Sequence, residues 1–150
     1  MLITKDGQVY SGNWDKDYRN GKGHAFYVNG DYYQGQFLDN NKHGQGNYFE
    51  ETGTKYEGEW KVGKRDGFGI ETAKDAVYTG TWQNDLKHGK GKWVFTSGGV
   101  YEGAFDKGQI NGQGTYLYAN KDYYVGNIKN AKRHGQGKLT LSGGMIFEGE

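Results

Sequence analysis

The chain has no cysteine, no proline, two methionines and few aliphatic side chains: isoleucine, leucine, valine and phenylalanine number 25 of 150 residues. Without cysteine there is no disulfide and no thiolate metal site, and a reducing compartment is the expected setting. No run of 18 apolar residues exists to form a membrane helix, and Met1-Leu2-Ile3-Thr4-Lys5-Asp6 is too short and too polar for a signal peptide. The net charge is only +1 and the pI about 7.8, so the strong basic excess of nucleic-acid binding domains is missing and no nucleic-acid partner is expected. With 28 glycines, no proline and a mean hydropathy of −1.00, the chain cannot assemble the thick two-layer core usual at this length. The expectation is a soluble, cytoplasmic chain.

What the chain has instead is rings. Its 13 tyrosines, 7 phenylalanines and 4 tryptophans supply large apolar faces that oppose a reading as disorder. They recur in order. Tyr-x-Gly-x-Trp or Tyr-x-Gly-x-Phe begins at Tyr10, Tyr33, Tyr56, Tyr78 and Tyr101, a variant ending in Ile128 begins at Tyr124, and a further start follows at Phe147. The starts lie 23, 23, 22, 23, 23 and 23 residues apart, and eleven residues after each of the first six comes a Gly-x-Gly, as in Gly44/Gly46 and Gly89/Gly91. One unit is copied six times over residues 1–150 as a single array, with partial copies at 1–9 and 147–150. Repeats that cannot bury a face alone must rest on their neighbours.

Within a unit, Tyr, Gly and the aromatic alternate with polar residues, the period of a half-buried strand, and a second alternating run starts at the Gly-x-Gly. Six mostly polar residues, such as Asp15 to Asn20, separate the two runs, and a turn cluster such as Asn29-Gly30 or Gly143-Gly144 follows the second. This predicts an all-β chain: an elongated, twisted, single-layer antiparallel meander of about six hairpin repeats, each adding roughly 10 Å and together ~60 Å. The glycines leave bare backbone on which cross-strand rings can lie. One face then carries Tyr10, Trp14, Tyr33, Phe37, Tyr56, Trp60, Tyr78, Trp82, Tyr101, Phe105, Tyr124 and Ile128. Since a single sheet has nothing behind it, part of that stripe is expected to stay open as an aromatic groove for a protein partner.

The unit, with His before the Gly-x-Gly in His43-Gly44-Gln45-Gly46, His88-Gly89-Lys90-Gly91 and His134-Gly135-Gln136-Gly137, resembles the MORN repeat. The departures are one missing residue between Ala73 and Val77, Asn20, Asp66 and Asn111 in place of His, and Ile128 in place of an aromatic. The resemblance implies an extended antiparallel sheet acting as a scaffold, linker or homodimerisation module. It also implies binding of phosphoinositides or other acidic lipids in some members, and a cytoskeletal or axonemal setting such as a cilium or flagellum.

No chemistry of catalysis emerges. His43, His88 and His134 belong to alternate repeats and would sit roughly 20 Å apart, too far to share an ion, so no metal or other cofactor is expected. Glu57 and Glu59 form a carboxylate pair in one repeat, but other repeats carry Gln34/Gln36 or Thr79/Thr81 there, which marks a solvated face. Gly58 to Lys64 imitates a phosphate loop, yet Arg65 replaces the required hydroxyl and no helix follows. Two interaction surfaces are expected. The main one is the ring stripe, or the unpaired strand edges at either end, for a protein partner or a second copy. The alternative is a basic surface for acidic lipid formed by Lys87, Lys90, Lys92, Lys129, Lys132, Arg133 and Lys138. Asp6-Gly7-Gln8-Val9 reads as the closing turn of an earlier repeat, so both ends of the array read as cut rather than capped.

Overall fold

The computed structural model describes residues 2–5 and 7–150. Met1 and Asp6 lie outside the described residues, and with them part of the N-terminal hexapeptide and of the expected closing turn. The chain is all-β, with fourteen strands and, among the described residues, no helix. Residues 1–74 and 75–150 form two compact units, each an antiparallel meander in which successive strands are neighbours. The first holds β1 (Leu2–Ile3), β2 (Val9–Asp15), β3 (Tyr18–Phe26), β4 (Tyr32–Leu38), β5 (Asn41–Phe49), β6 (Lys55–Lys61) and β7 (Lys64–Thr72). The second holds β8 (Ala76–Gln83), β9 (Leu86–Phe95), β10 (Val100–Asp106), β11 (Gln109–Leu117), β12 (Tyr123–Lys129), β13 (Lys132–Thr140) and β14 (Ile146–Gly149).

Register turns the repeat into rows that cross the strands. In the first unit Gly12, Gly23, Gly35, Gly46, Gly58 and Gly69 pair in sequence across six strands. In the second, Gly80, Gly91, Gly103, Gly114, Gly126, Gly137 and Gly149 do the same. Each such row is a strip of bare backbone, and the opening tyrosines lie on it. A Cβ on Gly46 would fall 2.2 Å from the Tyr33 hydroxyl and 2.5 Å from the ring, so no larger residue fits under the ring. The first glycine of each Gly-x-Gly has a different reason to be there. Gly44, for example, takes φ +58°, a left-handed conformation that costs other residues about 1–2 kcal/mol.

That conformation accompanies a register slip. The first strand of every repeat bulges just after its glycine, between Gly12 and Trp14, Gly35 and Gln36, Gly58 and Trp60, Gly80 and Trp82, Gly103 and Phe105, and Gly126 and Ile128. A bulge takes backbone groups out of the ladder, and the tyrosine three residues earlier hydrogen-bonds the carbonyl there. Tyr10 donates to Asn13 at 3.0 Å, Tyr33 to Gln36 at 2.9 Å and Tyr56 to Glu59 at 3.0 Å. Tyr78 donates to Thr81 at 2.9 Å, Tyr101 to Ala104 at 2.9 Å and Tyr124 to Asn127 at 2.8 Å.

The six-residue link expected inside each repeat is shorter than that. Strands continue to a two-residue turn such as Lys16-Asp17, Asp39-Asn40 or Asn84-Asp85, in which both residues have positive φ. This is the type I′ hairpin geometry, whose twist matches that of the flanking strands. Polar composition there records the exposed strand ends, not a loop.

Candidate functional site

The expected ring stripe exists, and it is closed. Within residues 1–74 it runs Trp14, Tyr10, Phe37, Tyr33, Trp60, Tyr56 as a chain of edge-to-face contacts. Within residues 75–150 it runs Trp82, Tyr78, Phe105, Tyr101. Centroids lie 5.0–5.4 Å apart with interplanar angles of 78–90°, the arrangement that aromatic quadrupoles favour. Tyr10, Tyr33, Phe37, Tyr56, Trp60, Tyr78, Trp82, Tyr101, Phe105 and Tyr124 are each 5% exposed or less. Trp14 is 43% exposed. The stripe of expected contacts is therefore the core of each unit, and the open groove is not along it.

A single sheet buries these rings because a cation lies over them. Nine residues after each repeat start stand Arg19, Lys42, Arg65, Lys87, Ile110 and Arg133. The Arg19 guanidinium lies 5.5 Å from the Tyr10 centroid and 5.2 Å from that of Phe37. Lys42 Nζ lies 4.1 Å from Trp60 and 4.2 Å from Tyr48, and Lys87 Nζ 4.9 Å from Trp82 and 5.0 Å from Trp93. Arg65 lies over Tyr56 and pairs with Glu71 at 2.8 Å, and Arg133 lies over Tyr124. Each such contact contributes about 0.5–2 kcal/mol, and the aliphatic stems cover ring surface as well. Backbone donors of the following turn fix this column: Asn40 N–H reaches the Arg19 carbonyl, Gly63 that of Lys42, Gly108 that of Lys87 and Ala131 that of Ile110. Where the sixth aromatic is replaced by Ile128, the preceding lid is Ile110, and both are buried.

These lids change the reading of the basic surface. Lys87 and Arg133 turn to rings, Lys92 pairs with Glu102 at 3.7 Å and Lys138 with Glu148 at 2.6 Å. Lys90, Lys129 and Lys132 are exposed. Three cations at about 1 kcal/mol each supply less than the ~4 kcal/mol of a millimolar complex.

Partly exposed rings lie one column farther along the same face, and the repeat motif gives no sign of them. In the second unit Trp93 meets Phe95 at 5.1 Å, Phe95 meets Tyr116 at 6.4 Å and Tyr116 stacks on Tyr118 at 4.5 Å. Trp93 and Tyr116 also touch the core rings Phe105 and Tyr101. All four are half-buried, so they form a supported ring shelf. In the first unit the corresponding position holds Tyr27 and Tyr48. The signal was present in register: Trp93 pairs directly with Tyr78 and Tyr101, and Tyr116 with Tyr101 and Tyr124.

Electrostatics follow burial. Burial raises the hydroxyl pKa of Tyr33 well above the ordinary tyrosine value, with the nearby Tyr27 adding to it and the Gln36 carbonyl bond opposing it. Burial does the same to Tyr48, helped by its hydrogen bond to Asp31. Burial also pushes the Asp31 carboxyl upward. Hydrogen bonds from Tyr48, the Glu51 backbone and Asn29, with the Lys42 charge, outweigh that and hold it below its ordinary value. Among the described residues no group of three His, Asp or Glu side chains could hold a metal ion. Glu59 instead accepts from the Phe68 backbone N–H at 2.8 Å, Glu57 pairs with Lys55, and His88 faces Asp106 at 3.5 Å.

Solved structures similar to this chain include two TCP domains. The SAS-4 (dCPAP) TCP domain of Drosophila melanogaster, in complex with a proline-rich motif of Ana2 (dSTIL), is 16% identical with a TM-score of 0.55, over 97% of this chain and 79% of that one. The TCP10 domain of Danio rerio CPAP is 11% identical with a TM-score of 0.43, over 98% of this chain and 81% of that one. No curated protein matches the sequence at a significant level. The MORN repeat model matches residues 10–32, 33–50, 56–75, 78–100, 101–123 and 124–146. With six copies over nearly its whole length, each carrying the tyrosine, the glycine row and the bulge, the chain belongs to the MORN repeat family.

Proposed function

We propose that the chain is a non-enzymatic protein-interaction scaffold whose ring shelf in residues 75–150 takes an extended, proline-rich segment of a protein partner. The observation that carries this reading is the shelf itself. Trp93, Phe95, Tyr116 and Tyr118 are connected and half-buried, and Trp93 and Tyr116 rest against the buried rings Phe105 and Tyr101. Such rings offer contact area at low entropic cost and are frequent interface hot spots. In this reading most of the stripe expected to touch the partner is buried beside the shelf, and Trp14 is its exposed member.

Periodicity favours a polyproline II occupant. A polyproline II helix repeats every three residues and rises roughly 9.3 Å per turn, while two strands per repeat advance roughly 9.6 Å. A segment lying across the strands therefore meets Trp93 and Tyr116, the equivalent rings of two neighbouring repeats, one turn apart, and aromatic-lined grooves are an established means of binding such segments. The Drosophila TCP domain, which shares the fold, was solved with a proline-rich motif. A cytoplasmic, cytoskeleton-associated setting goes with this reading.

The test is calorimetric titration of the chain with a proline-rich peptide of roughly four polyproline turns and with its glycine-for-proline counterpart. The proline peptide should bind, the glycine peptide should not, and Tyr118→Ala should weaken binding about tenfold. Equal binding of both peptides, or no effect of Tyr118→Ala, contradicts the proposal.

A further inference from the structure

The opposite face of residues 1–74 carries a second aromatic group that neither the core nor the shelf uses. Phe26, Tyr32 and Phe49 pair across β3, β4 and β5. Their centroids lie 4.7 and 5.6 Å apart, with interplanar angles of 35° and 31°. Core rings of the same unit meet at 82–90° and close on one another. The back-face rings lie side by side instead, a platform in which Phe26 is 51% exposed.

Beside the platform runs a groove of about 350 Å³ lined by Lys22, His24, Gln34, Gln36, Gln45 and Asn47 over the bare backbone of Gly23, Gly35 and Gly46. The Tyr32 hydroxyl joins the two, lying 2.6 Å from His24 Nδ1 and donating to Gln34 Oε1 at 3.3 Å. Gln36 Oε1 accepts from the Gln45 backbone N–H at 3.0 Å, which fixes one wall. Among the described residues the side-chain amides of Gln45 and Asn47 make no hydrogen bond. Lys22 is the one Lys or Arg among the lining residues, and the carboxylates on the adjoining strand, Glu57 opposite Asn47 and Glu59 opposite Gln45, are held by Lys55 and by the Phe68 backbone N–H.

This chemistry selects a ligand. A polyanion would require several cations along its path, and an amine or cation would require carboxylates. Planar rings beside neutral amides complement a molecule with an apolar C–H face and hydroxyl edges. We propose that the back face of residues 1–74 binds a neutral oligosaccharide, whose pyranose rings stack on Phe26 and Tyr32, beside the Phe49 ring that Lys55 Nζ covers at 5.2 Å, while its hydroxyls bond the amides of Gln45 and Asn47.

Backbone amide shifts in nuclear magnetic resonance test this, using four hexasaccharide probes: β-linked glucose, N-acetylglucosamine, xylose and mannose. At least one should give saturable shifts confined to β3, β4 and β5. Tyr32→Ala should weaken that binding about tenfold, Asn47→Ala should weaken it measurably, and Tyr118→Ala should leave it unchanged. If Tyr32→Ala fails to match the parent melting curve, Asn47→Ala decides the matter. No saturable shift with any of the four, shifts that map elsewhere, or full affinity in the folded variants overturns the proposal.

Discussion

Tyrosine opens all six repeats because the position asks for two things at once. A ring must cover the glycine row, and a hydroxyl must satisfy the carbonyl that the bulge removes from the ladder. Phenylalanine meets only the first demand. Tyr33→Phe should therefore lower stability by about 1–3 kcal/mol, read as a fall in the denaturant midpoint. An unchanged midpoint would show that the Tyr33 hydroxyl bond to Gln36 is dispensable. The same burial sets an alkaline limit. The folded pKa values of Tyr10, Tyr33, Tyr48, Tyr101 and Tyr116 lie above the ordinary 10.0. Stability from the neutral hydroxyls is therefore complete below pH 10 and is lost as pH rises toward the folded values. Melting temperature should hold between neutrality and that point and fall above it. The sequence made the ring-on-glycine pairing legible, since Tyr-x-Gly and Gly-x-Gly recur in phase. It did not reveal the hydroxyl's role, because a bulge leaves no mark in a period-two pattern.

The hairpin inside each repeat is closed by a two-residue turn, and one of these is strained. Val62, a β-branched residue, takes φ +47° before Gly63, where asparagine or glycine is usual. Val62→Asn should raise stability by about 1 kcal/mol, and a fall in midpoint would mean that the exposed valine side chain contributes packing. Trp60 lies at the centre of its hairpin's energetics. It meets Tyr33, Tyr56 and Tyr48, donates from Nε1 to the Gly46 carbonyl at 3.0 Å and lies under Lys42. Trp60→Ala should cost about 3 kcal/mol or more, and an unchanged melting temperature would place that ring outside the core. The lids explain why a one-layer sheet has a core at all. They were present in the sequence as a basic residue nine positions after each start, with Ile110 as the exception ahead of Ile128. Composition hid them, because a lysine reads as solvated until the ring beneath it is known.

At the scale of the molecule, stability is a sum of neighbour contacts. Successive repeats share ring edges, lid cations and turn hydrogen bonds such as Asn40 to Arg19 and Glu51 to Asp31. Rings buried in this coupling cannot also face a partner, so the proposed binding surface is the partly exposed rings beside them. This shift was beyond the sequence: Tyr101 and Tyr116 look alike in a composition count, and only register separates the buried column from the shelf. With the repeat tyrosines in the core, the proposed contact surface is the shelf. It is tested most directly by mapping amide shifts across residues 75–150 during titration with the proline-rich peptide. Saturable shifts centred on Trp93, Phe95, Tyr116 and Tyr118 are expected. Shifts centred on Lys90, Lys129 and Lys132, or on the hairpin turns, would contradict it.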